Sequence, residues 1–295
     1  MRRFNLNNAQ FGALLVSPLF VVLAMVVAYP LLYAVWASFQ FFRLSRPDDI
    51  RFNGLDNYLS VLGDEGFRTA LWHSFIYTFV AVPIELALGL IIALALVKLR
   101  VGRDLARTLI VIPMMLAPVV MGLMWKFMYN DQLGVINQVA RALGLVQGSI
   151  PWLSSPDLAL WSLIIVEIWA TTPIMVILLG AGLTVIPDEL YEAARMDGAN
   201  SWQRFVKITL PLLQPIILVA LLIRGMDAFR VFDLVYILTQ GGPANSTDVL
   251  SYFLYRLNFV NLNVGQASAG SMIMLAMLIV AGLLLIRLLR REETA

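Results

Sequence analysis

The chain has no cysteine. Disulfides, thiolate nucleophiles and thiolate-held metals are therefore closed to it. Histidine is almost as scarce: His73 stands alone at the edge of an apolar run with no second ligand type beside it, which favours an interfacial or packing role over a metal site. Charge is thin as well. Asp, Glu, Lys and Arg make up 14% of the 295 residues against 60% hydrophobic, and the mean hydropathy is +0.81. So few polar residues cannot cover a water-soluble globule of this size. The glycine loop ending in Lys and Ser or Thr that cradles nucleotide phosphates is also missing, so the chain does not bind ATP by that device. No cluster of acidic residues or histidines marks a membrane face, as a membrane-embedded transferase would require.

What fills the chain instead is a series of apolar runs, each near the roughly 20 residues a helix needs to cross the hydrocarbon core. They predict spans at about 11–35, 74–97, 105–128, 158–183, 212–232 and 267–286. No strict alternation of the kind a closed barrel shows is present. The reading is an all-α integral membrane protein with six transmembrane helices in a single domain over 1–295. The first run is too long, and lacks the small-residue cleavage site, for a removed signal peptide. Trp36, Phe39, Phe41 and Phe42 mark a membrane edge. The polar stretches 43–69 and 129–157 are read as extramembrane loops. Pro113 and Pro118 in the third run free backbone groups that neighbouring helices or a wet cavity must satisfy.

Six spans put both termini on one side. Arg2, Arg3, Lys98, Arg100, Arg103, Arg107, Arg195, Arg204, Lys207, Arg287, Arg290 and Arg291 fall on that side in short loops. Arg43, Arg46, Arg51, Arg68, Lys126, Arg141, Arg230 and Arg256 are fewer and fall opposite in longer ones. By the positive-inside rule the termini are cytoplasmic.

The loop 187–211 shares that side and is the most patterned stretch of the chain. Pro187, Asp188 and Glu189 suit a helix start, where the ring needs no N–H and carboxylates meet the positive end of the dipole. Arg195 sits toward the other end, and Gly198 can adopt the left-handed conformation that stops a helix. Ser201 is placed to cap a second short helix through Val206. Ala193 and Ala194 leave one side with little bulk beside the carboxylate of Glu192, which is how a docking peg should look.

The spacing Glu192-Ala193-Ala194, three residues, Gly198, nine residues, Ile208, one residue, Leu210-Pro211 resembles the cytoplasmic loop of ATP-binding-cassette importer permeases without a gap. Two more stretches resemble the carbohydrate branch of that family, the maltose and glycerol-phosphate permeases: Phe52 to Tyr58 after the first span, and Leu238 to Thr247 with Gly241, Gly242 and Pro243 in an external loop. The resemblance implies a type I importer permease fold in a bacterial inner membrane. It implies that Glu192, Ala193, Ala194, Arg195, Asp197 and Gly198 form the coupling helix seated in an ATPase cleft. The implied partners are a second permease subunit in a heterodimer, two ATPase subunits and an extracytoplasmic solute-binding protein; nucleic acid is not among them. The chain itself would hold no catalytic residue, metal or cofactor, with ATP and Mg on the partner ATPase. A sugar or polyol is the implied cargo, a sugar phosphate or other small solute the alternative.

Charges inside spans need a partner or a function. In the fifth span Arg224, Asp227 and Arg230 repeat at one-turn spacing, with Asp233 after them. They read either as a neutralised ladder or as a hydrophilic pathway offering acceptors to sugar hydroxyls. Glu167 allows the same two readings. Glu85 allows them too, with the structural one favoured because no polar neighbours accompany it. Trp125, Tyr129 and Trp169 are candidates to stack on apolar sugar faces, or are plain interface anchors.

Overall fold

The structure, a computed structural model, describes residues 8–99 and 101–292. Arg2, Arg3 and Arg100, and the side chains of Arg290 and Arg291, used above for orientation, lie outside the described residues. In chain order the helices and strands are α1 (Asn8–Leu23), a π turn at Ala24–Ala28, α2 (Tyr29–Ser38), β1 (Gln40–Phe41), β2 (Arg51–Phe52), α3 (Asp56–Gly63) and α4 (Glu65–Lys98). Then come α5 (Arg103–Met115), α6 (Pro118–Met128), α7 (Val135–Ala142), α8 (Pro156–Val185), α9 (Asp188–Met196) and α10 (Ser201–Arg204). A second π turn at Phe205–Thr209 leads into α11 (Leu210–Phe229), followed by α12 (Asp233–Leu238), α13 (Leu250–Tyr255), a third π turn at Arg256–Val260 and α14 (Val264–Glu292).

The chain divides into two units, one made of the described part of 1–64 with 254–276, the other of the described part of 65–253 with 277–295. In the first, α1, the π turn and α2 form one apolar run, Leu14–Ser38. Pro30 explains the turn: its ring crowds the carbonyl four residues back and donates no bond, which a widened turn relieves. Past the membrane edge β1 and β2 pair antiparallel, Gln40 with Phe52 and Phe41 with Arg51. Asn57, at the start of α3, holds this corner together by donating to the carbonyls of Ser38 and Gln40 at 2.9 and 2.7 Å. The Tyr58 and Ser38 hydroxyls meet at 2.7 Å. Through Asn57 and Tyr58 the Phe52–Tyr58 motif thus clamps the strand pair.

In the second unit α4 and α8 pack along each other. Gly89 permits a close approach, since a Cβ there would collide with Met175. Val82, Ala93, Met175, Leu179, Leu213 and Ala220 form the core where α11 joins them. The helix α4 begins at Glu65, well ahead of the run expected from 74, because the amphipathic stretch 65–73 continues the same hydrogen-bonded ladder outside the apolar run.

The third expected span, 105–128, is not one straight helix: α5 and α6 meet at 93°. Pro118 is the cause. It biases the residue before it out of helical conformation, and Leu116 and Ala117 are both extended, with ψ of 135° and 136°. Pro113, by contrast, sits within α5. The fifth span differs too, as α10, the π turn, α11 and α12 make a run from Ser201 to Leu238 in place of 212–232. Among the described residues five helices are long and apolar enough to cross a membrane, or six if the bent pair counts as one.

The loop 129–157 carries α7, which sequence reasoning missed. Asn137 organises it from a fully buried position. Its amide donates to the Ile150 carbonyl at 3.0 Å and accepts from Ile150 N–H and Trp152 Nε1–H at 3.1 and 3.2 Å. Val135, Ile136 and Val139 recur at helical spacing, so a signal for this helix was present in the sequence.

Candidate functional site

The charges of the membrane segments fall into two sets. Arg224 is buried, and its Nε donates to Glu85 Oε2 at 2.9 Å while its Nη2 donates to Glu167 Oε1 at 2.6 Å and to Glu85 Oε1 at 3.2 Å. The Tyr77 hydroxyl donates to the other Glu167 oxygen at 3.1 Å. Three helices, α4, α8 and α11, thus meet in one polar knot whose charged members are all less than a tenth exposed. A guanidinium suits the place because its planar fork serves two carboxylates at once, and a buried charge is tolerable only when paired and hydrogen-bonded.

Two expectations change here. Glu85 has a charged neighbour after all, supplied from 139 residues along the chain. The Arg224–Asp227–Arg230 ladder is split: Arg224 leaves Asp227 at 4.0 Å, while Asp227 accepts from Arg230 Nη2 at 2.6 Å. That second pair is exposed, its side chains at 45% and 59%. Asp233 is also exposed, in the first turn of α12. Sequence reasoning missed Tyr77 altogether. Its signal was present: Tyr77 and Glu85 share the face of α4 that bears Ala81 and Gly89, all buried.

The three aromatics converge. Trp125 lies 5.2 Å from Tyr129 and 5.4 Å from Trp169 between ring centroids. Trp125 and Tyr129 are buried, and the Tyr129 hydroxyl donates to the Ser162 carbonyl at 3.1 Å. Trp169 alone keeps an exposed edge. Trp125 packs against Trp169, and Tyr129 backs Trp125 in turn.

The patterned loop has a definite geometry. Pro187 is extended and precedes α9, so the helix begins at Asp188 with the carboxylates of Asp188 and Glu189 in its first turn. Gly198 has φ +77°, the conformation a side chain resists. The N–H groups of Gly198 and Ala199 return to the carbonyls of Arg195 and Ala194 at 3.1 and 2.9 Å, a paired closure that ends the helix at Asp197. The second helix is capped by Asn200, not by Ser201: Asn200 accepts from Gln203 N–H at 2.9 Å, and Gln203 accepts from Asn200 N–H at 2.8 Å. The carboxamide reaches the third N–H of the helix, which puts Ser201 one place inside it.

Glu192, Ala193 and Arg195 are exposed, with Ala194 half-buried and Arg195 4.0 Å from Glu192. Met196 and Trp202 add apolar surface at 88% and 70% exposure. The Tyr191 hydroxyl, 2.9 Å from Thr209 Oγ1, ties α9 to the π turn that leads into α11. Gly241, Gly242 and Pro243 lie in the turn after α12, where Thr247 Oγ1 donates to the Gly242 carbonyl at 2.8 Å. Among the described residues no group of three or more metal-type ligands occurs.

Apolar helices of span length, among the described residues, are those of a multi-pass membrane protein. The chain belongs to the family of binding-protein-dependent transport system inner membrane components, which matches residues 85–291. It is 38% identical over 267 residues to the trehalose/maltose transport system permease protein MalF of Thermococcus litoralis, covering 90% of this chain and 88% of that one. It is 38% identical over 275 residues to the trehalose transport system permease protein SugA of Mycobacterium tuberculosis, covering 93% and 87%. To the sulfoquinovosyl glycerol transport system permease protein SmoG of Agrobacterium fabrum the identity is 33% over 293 residues, covering 99% and 94%. A solved bacterial ABC transporter involved in import of the acidic polysaccharide alginate shares the fold, with a TM-score of 0.83, 22% identity and 95% of each chain covered. The protein is a multi-pass membrane permease of importer fold, not an enzyme.

Proposed function

We propose that the chain is the permease subunit of an ATP-driven importer that passes a sugar or polyol from an extracytoplasmic solute-binding protein to the cytoplasm. It works beside a second permease subunit and two ATPase subunits, which hold ATP and Mg. Both termini and the 187–211 loop face the cytoplasm of a bacterial cell. The observation that carries this reading is the exposed helix α9, which projects Glu192, Ala193 and Arg195 from the junction of α8 and α11. Those are two of the helices that Arg224 ties together, so a push on the loop reaches the bundle through both. The names of the relatives support a sugar as cargo. So does the charge balance: Arg224 is neutralised by two carboxylates and Arg230 by Asp227, which leaves neither guanidinium free for a sugar phosphate. Asp227, Asp233 and the edge of Trp169 are the groups we assign to the solute's route.

The test is uptake by proteoliposomes holding the assembled transporter and its binding protein. Trehalose or maltose should accumulate with ATP hydrolysis, and glycerol phosphate should not. Glu192→Lys should leave the complex assembled and abolish binding-protein-stimulated hydrolysis. Stimulation at the normal level in that variant overturns the coupling role, and uptake of the phosphate in preference to the sugars overturns the cargo.

A further inference from the structure

A cavity lies away from the knot, between the end of α4, the start of α5 and the end of α8, at the end of the spans that borders the 187–211 loop. It encloses about 370 Å³, which is in the range of small-ligand sites. Its walls are apolar, with Leu96 and Val97 from α4, Ile110 from α5, and Ile177 and Gly180 from α8. Val97 and Ile177 are exposed, so the cavity opens onto the flank of the bundle.

Two cations stand at its mouth. Arg103 and Arg107, one turn apart on α5, both line it. Among the described residues neither has a carboxylate within the 4.0 Å of an ion pair, and Asp104 beside them pairs with neither. Arg103 Nε is buried with no hydrogen-bond acceptor among the described residues. A buried donor left unmet is costly, so an acceptor belongs there. An anionic acceptor with an apolar tail would serve both guanidinium groups and fill the cavity behind them.

We infer that this cavity is a binding site for an anionic phospholipid, with the phosphate held by Arg103 and Arg107 and part of one acyl chain laid between α4 and α8. A basic pocket between spans at a membrane edge is where such headgroups are recognised. The inference does not depend on the cargo.

Native mass spectrometry of the detergent-solubilised transporter with added phosphatidylglycerol, phosphatidylcholine or inorganic phosphate tests it. One phosphatidylglycerol should stay bound under activation that strips phosphatidylcholine. Arg103→Gln and Arg107→Gln should each weaken that retention roughly fivefold and leave phosphatidylcholine unaffected. Gly180→Leu is the second probe: a Cβ there meets nothing within 4 Å, so the larger side chain enters the cavity without displacing the backbone and should abolish retention. An unchanged lipid preference in the double arginine variant or in Gly180→Leu overturns the inference. Displacement of the lipid by equimolar inorganic phosphate reduces the site to a free-anion site and overturns it too. So does a photo-crosslinker at Val97 that captures a neighbouring subunit in place of lipid.

Discussion

Arg224 and Arg230 share α11 and its immediate end, less than two turns apart, yet they live in different media. Arg224 has a side chain 4% exposed and meets two carboxylates from other helices, whereas Arg230 is 59% exposed and meets only Asp227 of its own helix. Helix geometry explains the divergence. At about 100° per residue Asp227 is rotated roughly 60° from Arg224, and Arg230 roughly 120°. A charge that faces α4 and α8 must be paired inside the protein, and one turned away from them can be hydrated or serve a solute. The lesson is that a one-turn repeat of charges need not be a single device.

The largest effect expected from breaking that contrast is at the buried guanidinium. Arg224→Met strands Glu85 and Glu167 and should cost about 3–5 kcal/mol, read as lost yield of folded protein and a lower melting point in detergent. Adding Glu85→Gln and Glu167→Gln to Arg224→Met should recover most of the loss, because a knot without charges leaves no ion unpaired. If the triple variant is no better than the single one, the knot is not electrostatic in origin.

A smaller effect belongs to its phenol. Tyr77→Phe removes one donor while Glu167 keeps its bond to Arg224, so a stability loss of about 1 kcal/mol should follow. A loss as large as that of Arg224→Met would show that the hydroxyl, not the guanidinium, orders the site.

Least affected in stability is the exposed pair. Asp227→Ala leaves Arg230 in a wet position and Arg224 still bound by two carboxylates, so its stability cost should stay within about 1 kcal/mol. Under the proposed function its uptake of sugar should nevertheless fall. A collapse in yield would mean that Asp227 belongs to the knot, and normal yield with normal uptake would remove it from the route.

Much of this protein was legible before any coordinates. Apolar runs of span length give the class, since only helices or closed barrels satisfy a backbone in lipid, and the runs lack a barrel's alternation. The Glu192–Gly198 loop was equally open to reading, because its stop depends on one residue's local conformation: Gly198 at φ +77° needs no distant partner. Where a local signal has close competitors the reading slipped by one residue, as at Asn200, whose side chain outreached Ser201 for the cap. Pro118 was visible, but whether it bends a helix or breaks it by 93° depends on what α6 packs against, and Lys126 reaching the Ile237 carbonyl at 3.0 Å shows that partner to be α12.

What only tertiary structure decided is the assignment of the charges. Glu85 carried no polar neighbour in sequence because its partner arrives on another helix, and Arg224 faced three carboxylates within reach with nothing local to choose among them. Pairing inside a membrane bundle is set by which faces of α4, α8 and α11 turn toward one another. Close packing at Gly89 and Met175 fixes those rotations between distant segments, and no stretch of one helix contains that information.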